Sequence, residues 1–229
     1  MRPMSIPLVT AVLGSLLAVA PATASTCFGT SSNGRVAHAV TLSAHGRNFT
    51  PYSTVGVALG RTYVHETVRD IVEGAYAELE QELPGVVFVY GETGLKEGGP
   101  MPPHRTHENG TSVDFMVPVR GWNGRSLPIP GSPMNRFGYD LEFDANGRLD
   151  DLRIDFAAIA AHLQRLERQA RKRGGRISRV IFDPALMRHL FVTPHGAAIA
   201  SLPFMKTKPW IRHDEHYHVD FAIACRKAQ

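Results

Sequence analysis

Near the end of the chain a polar, histidine-rich run becomes an apolar one: His213-Asp-Glu-His216-Tyr-His218-Val-Asp220-Phe-Ala-Ile. Extended from His216 onward, it sets His216, His218 and Asp220 on one face and Tyr217, Val219 and Phe221 on the other. Few folds accommodate such a strand, because one face has to enter a core while the other lines a polar site. A second stretch, His104-Arg-Thr-His107-Glu-Asn-Gly-Thr-Ser-Val-Asp114-Phe, adds a histidine pair and then an aspartate between Val113 and Phe115. A carboxylate in an apolar run is costly to bury unless it is paired or coordinates a metal. His107, Asp114 and His218 are therefore the candidate ligands of a zinc ion, one per chain.

The rest of the sequence supplies a frame for these two segments. Val68, Ile71, Val72, Ala75, Leu79 and Leu83 recur at helical spacing and predict a helix over 63–83, stopped by Pro84-Gly85. Val86 to Tyr90 reads as a buried strand, β-branched and aromatic throughout. Ser112 to Val117 reads as another, with Ser112, Asp114 and Met116 facing away from Val113, Phe115 and Val117. Residues 139–154 suggest a hairpin turning at Asn146-Gly147. The Gly- and Pro-rich excursion from Pro118 to Pro133, with Trp122 and Arg125, is either a surface loop or a wall of a groove. Asp155 can cap a second helix reaching about Arg173, with Phe156, Ile159, Ala160, Leu163 and Leu166 as its buried stripe. Arg179 to Asp183 forms a short strand, and Pro184 opens a brief helix through Leu190. Two helices and several strands in no regular alternation predict an α+β fold: a small antiparallel sheet carrying the zinc site, flanked by two main helices. The two site-bearing segments would be neighbouring strands.

The first residues have the pattern of a secretory leader: Arg2, an apolar run from Ile6 to Ala20, and a small-residue end at Ala22-Thr23-Ala24. The expected division is a signal peptide over 1–24 and a single zinc-site domain over 25–229. The apolar run falls short of the roughly 20 residues of a spanning helix, so no stable membrane insertion is expected. In an exported protein the two cysteines, Cys27 and Cys225, invite a disulfide. The formal charge of +4 suits an anionic partner such as a cell wall. Much of that excess lies in Arg165 to Arg176, the solvated face and end of a helix, and export argues against nucleic acid. The destination is the periplasm or the medium; the oligomeric state is not encoded in any feature of the sequence.

Two imidazoles and one carboxylate leave zinc a fourth position for water, as in catalytic rather than closed structural sites. Strand alternation sets His216 beside His218, where it can accept a proton from water or stabilise an oxyanion. Glu215 points the other way in a regular strand and becomes the base only if the chain bends there. His104 and His213 can bind substrate or orient a ligand, and Glu92, at the end of the 86–90 strand, can support them from outside.

The spacing His107-x6-Asp114 with His216-x-His218 resembles the ligand pattern of the lysostaphin, D-Ala-D-Ala peptidase and hedgehog superfamily of zinc metallopeptidases. Within it, three runs are most similar to the penicillin-insensitive murein endopeptidases: His104-x-x-His107-x-x-Gly110-x-x-Val113-Asp114, Val180-Ile-Phe-Asp-Pro184-Ala185, and Pro209-Trp210-x-x-His213-x-x-His216-x-His218-Val219. The likeness spans roughly Arg61 to Cys225. It implies a peptidase cutting peptidoglycan, with His107, Asp114 and His218 on zinc, His216 beside it as a catalytic residue, and His104 and His213 near the site. Two features depart from the family. The chain has only two cysteines, and Glu215 stands three residues before His218, where the superfamily's D,D-dipeptidases carry a catalytic glutamate. A D,D-carboxypeptidase or dipeptidase, with Arg105 or Arg212 holding a terminal carboxylate, is thus a second reading. A cell-wall binding protein with structural zinc is a third, and His216 argues against it, since a structural site needs no base.

Overall fold

The computed structural model describes residues 24–228. Apart from Ala24, the expected leader lies outside the described residues. The N-terminal part forms a hairpin of β1 (Thr26–Thr30) and β2 (Asn33–Ala37), then β3 (Val40–Thr41), β4 (Phe49–Pro51) and the short helix α1 (Thr54–Ala58). Next come β5 (Tyr63–Val64), the long helix α2 (Glu66–Glu82), β6 (Phe88–Tyr90) and β7 (Ser112–Met116). Two hairpins follow, β8 (Val119–Arg120) with β9 (Ser126–Leu127) and β10 (Arg148–Leu149) with β11 (Leu152–Ile154), separated by a 3-10 turn at Pro133–Gly138. The chain finishes with α3 (Phe156–Lys172), β12 (Arg176–Ile181), α4 (Pro184–Phe191), α5 (Gly196–Ile199) and β13 (His216–Ala222).

The fold is α+β, as the sequence predicts. Its main sheet has the order β12-β13-β7-β6-β4, antiparallel except for the parallel β4–β6 pair. The two site segments are neighbouring strands: His218 pairs with Asp114, Tyr217 with Phe115 and His216 with Met116. One face of this pair carries Val113, Phe115, Tyr217 and Val219 into a core shared with Val68, Ile71, Val72 and Leu79 of α2 and Ile159, Leu163 and Leu166 of α3. Each such fully buried side chain stabilises the fold by about 1.5–3 kcal/mol. The opposite face is left for the polar residues.

The caps follow from local chemistry. Asp155 accepts the Ala158 N–H at 3.1 Å and opens α3. Asp183 accepts from Ala185 at 2.7 Å, with Pro184 supplying the first helical residue of α4. Helix α2 starts three residues later than predicted, because Tyr63 and Val64 are drawn into pairing with Thr41 and Val40 and the His65 ring caps Thr67 instead. The expected 139–154 hairpin is also corrected. Residues 139–143 are not a strand, and the turn falls at Asp150-Asp151, because Asp144 Oδ1 folds back onto the backbone N–H groups of Asn146 and Arg148. The 118–133 excursion is largely the β8–β9 hairpin, with Trp122 82% exposed at its end.

Cys27 and Cys225 are disulfide-bonded, with Cα atoms 4.8 Å apart, so β1 is tied to the segment just after β13. No helix among the described residues is long and apolar enough to cross a membrane.

Candidate metal centre

Asp114 is the hub. Its neighbours Val113 and Phe115 enter the core, so strand alternation turns its carboxylate to the opposite face, where it is 1% exposed. His218 Nδ1 lies 2.8 Å from Asp114 Oδ1, and His107 Nε2 3.3 Å from the same oxygen. His104 Nδ1 is 3.6 Å and His216 Nε2 4.0 Å from Oδ2. The Tyr139 hydroxyl donates to Oδ2 at 3.2 Å and accepts the Glu92 N–H at 2.8 Å. Gly91 makes this approach possible, since a Cβ there would stand 2.4 Å from the Tyr139 oxygen.

Each imidazole next to Asp114 is held from behind. His104 Nε2 meets Glu92 Oε2 at 2.5 Å, His107 Nδ1 meets the Thr93 carbonyl at 3.0 Å, and His218 Nε2 meets Asp220 Oδ1 at 2.9 Å. Three outer acceptors therefore fix three rings so that the remaining nitrogens turn toward one carboxylate. This is how metal-binding histidines are commonly oriented. The ligand atoms of His104, His107 and Asp114 lie within 4.8 Å of one another, and the rings of His107 and His218 are 4.8 Å apart.

The outer acceptors are anchored in turn. Glu92 receives Arg61 at both oxygens and the Tyr52 hydroxyl at 2.8 Å. Burial works against its charge, but His104 and Arg61 hold its pKa down to about 2. Asp220 accepts from Ser112 at 2.6 Å and Arg179 Nε at 2.6 Å. His107 adopts a left-handed backbone, φ 73°, with its N–H 3.4 Å from Ser112 Oγ.

These residues fit a divalent cation on two counts. His107 Nε2 is buried with no hydrogen-bond partner although it faces Asp114. Burial alone would discharge His218, yet Asp220 and Asp114 raise its pKa to about 9. Without a metal, a proton supplies the positive charge that this carboxylate-rich pocket demands.

Beside the cluster a cleft of about 770 Å³ is lined by Tyr52, Arg61, His104, Trp210, His213 and His216, among others. Of the 118–133 excursion only the last residue, Pro133, lines it. His213 packs 4.5 Å from His216, ring to ring, with Nδ1 2.7 Å from the Ile211 carbonyl, and burial lowers its pKa to about 3. Glu215 precedes the strand rather than belonging to it. Its carboxylate turns to His216 Nδ1 at 2.8 Å instead of pointing away. The structure thus brings together His104, His107, Asp114, His213, Glu215, His216, His218 and Glu92. Asp220 and Tyr139 join them unassigned by sequence. Continuing the alternation two residues past His218 identifies Asp220, but nothing in the sequence marks Tyr139.

A family model described as penicillin-insensitive murein endopeptidase matches residues 27–229. No curated protein matches the sequence.

Proposed function

The chain belongs to the penicillin-insensitive murein endopeptidase family, and from that premise we propose that it is an exported, zinc-dependent endopeptidase hydrolysing the cross-linking peptide bonds of peptidoglycan. The observation that carries the metal reading is the common orientation of the imidazoles, each fixed from outside by Glu92, Thr93 or Asp220 and turned toward Asp114. We assign His107, Asp114 and His218 as the ligands because all three are buried, whereas His104 is open to the cleft.

Zinc bound there would supply a Lewis acid that polarises the scissile carbonyl and makes water a competent nucleophile near neutral pH. The chain's own residues do the rest. His216 moves the proton at Nε2, the nitrogen on the Asp114 side, while Glu215 Oε1 orients the ring through Nδ1. Tyr139 holds Asp114 Oδ2, and so keeps the carboxylate from rotating away from His107 and His218. His104 and His213 contact substrate in the cleft, His104 steadied by Glu92.

The same reading makes residues 1–24 a leader removed on export and 25–229 one mature domain, in the periplasm or secreted. The Cys27–Cys225 disulfide supports this, because such bonds persist in oxidising compartments.

Purified sacculi incubated with the protein test the proposal. Cross-linked dimers should fall to monomers, and a chelator should stop the reaction. Release of terminal D-alanine without loss of dimers would replace the endopeptidase with a carboxypeptidase. Binding without cleavage would end the enzymatic reading altogether.

A further inference from the structure

Arg61 and Arg136 line the cleft, Arg105 and Arg212 each adjoin a residue that does, and three of these four arginines are neutralised. Arg61 is paired with Glu92, and Arg136 lies 3.4 Å from Asp140. Arg212 is shared among Asp183, Glu142 and Asp214, and also donates to the Phe143 carbonyl. Each is occupied within the protein. Arg212, one of two residues that could hold a substrate carboxylate, is thus a tie between the 139–143 segment and the approach to β13.

Arg105 differs. It directly follows His104, is exposed, and among the described residues has no carboxylate within ion-pair distance. Its guanidinium lies 5.2 Å from the centre of the Trp210 ring. An arginine over an aromatic face is held in place while its N–H groups remain free, the arrangement that suits bidentate capture of a carboxylate. Trp210 also links it to the chemistry. The Trp210 ring is 5.9 Å from His213, and His213 is 4.5 Å from His216. A path of three ring spacings bounds the distance from Arg105 to His216 at about five extended residues.

We propose that Arg105, which follows the cleft residue His104 and packs on the cleft residue Trp210, is a subsite for a free α-carboxylate of the substrate peptide. The proposal rests on the reading of this cleft as a murein-peptide groove. It adds what that reading lacks, a charge that distinguishes a peptide ending in a free acid from one that does not. Carboxylate capture at Arg105 strengthens binding to stem peptides with a free terminus and is lost when that terminus is amidated.

The test is equilibrium binding rather than turnover. The purified full-length mature protein is titrated with the uncross-linked tetrapeptide stem, in free-acid and C-terminally amidated forms, and followed by calorimetry. The wild type should bind the acid roughly tenfold tighter than the amide, the scale of one charge-assisted hydrogen-bonded contact. Arg105→Gln should bind both forms equally, and Arg105→Lys should recover part of the preference. A wild type without preference, or an Arg105→Gln variant that keeps it, overturns the proposal. Preference for the acid in a protein that leaves sacculi uncut would instead sink the endopeptidase reading and leave the subsite standing.

Discussion

Which nitrogen of His218 faces Asp114 is decided by one hydrogen bond, from Nε2 to Asp220 Oδ1. Asp220 is held well below the usual carboxylate range: burial opposes its charge, but His218 and Arg179 more than offset that. An ionised acceptor keeps the proton on Nε2 and the Nδ1 lone pair toward the metal position. Asp220→Asn retains the size but weakens this preference, so we expect metal affinity to fall roughly 10–100-fold, read by competition with a chromophoric chelator. Unchanged affinity would contradict the role given to Asp220. At this scale the site was largely legible in the sequence, because Asp114 between Val113 and Phe115 and the alternation from His216 to His218 are strong local signals. Tyr139 was not, since it reaches Asp114 through the irregular 139–143 segment, where no periodicity reports direction. The direction of Glu215 stayed open in the sequence for a related reason: the rule of alternating faces begins only at His216.

Among the elements, α2, α3 and β13 meet at His162. This α3 residue stacks on Tyr76 of α2, ring centres 4.9 Å apart, and its Nδ1 lies 2.5 Å from the Tyr217 hydroxyl on β13. It is fully buried, and desolvation lowers its pKa to about 3. In the unfolded chain an ordinary histidine takes up a proton near pH 6.5. Between these values the unfolded state binds more protons, so this contribution to stability is complete above about pH 6.5 and lost as pH falls toward 3. Urea unfolding of the chelator-treated protein at pH 6.5 and pH 4 should show His162→Gln losing roughly 3 kcal/mol less than the wild type. Equal losses would mean that His162 is not buried as the neutral ring. The helices themselves followed from their apolar spacing. The bounds of α3 followed too, from its Asp155 cap, but the start of α2 did not, because it is set by the pairing of Tyr63 with Thr41, a contact between distant segments.

Across the whole molecule, the centre gathers residues from 92 to 220, and the disulfide joins positions 198 apart. Ser31, at the tip of the hairpin that Cys27 anchors, lies 3.4 Å from Asp220 Oδ2. The two ends of the domain therefore close around the outer side of the metal position, while the cleft opens on His104 and His216. The centre as proposed depends on His107, Asp114 and His218 acting together, and losing any one should empty it. Metal content by inductively coupled plasma mass spectrometry, on wild type and on His107→Ala, Asp114→Ala and His218→Ala purified identically, addresses this directly. We expect one zinc per wild-type chain and essentially none in each variant; stoichiometric zinc in any of the three would contradict the assignment.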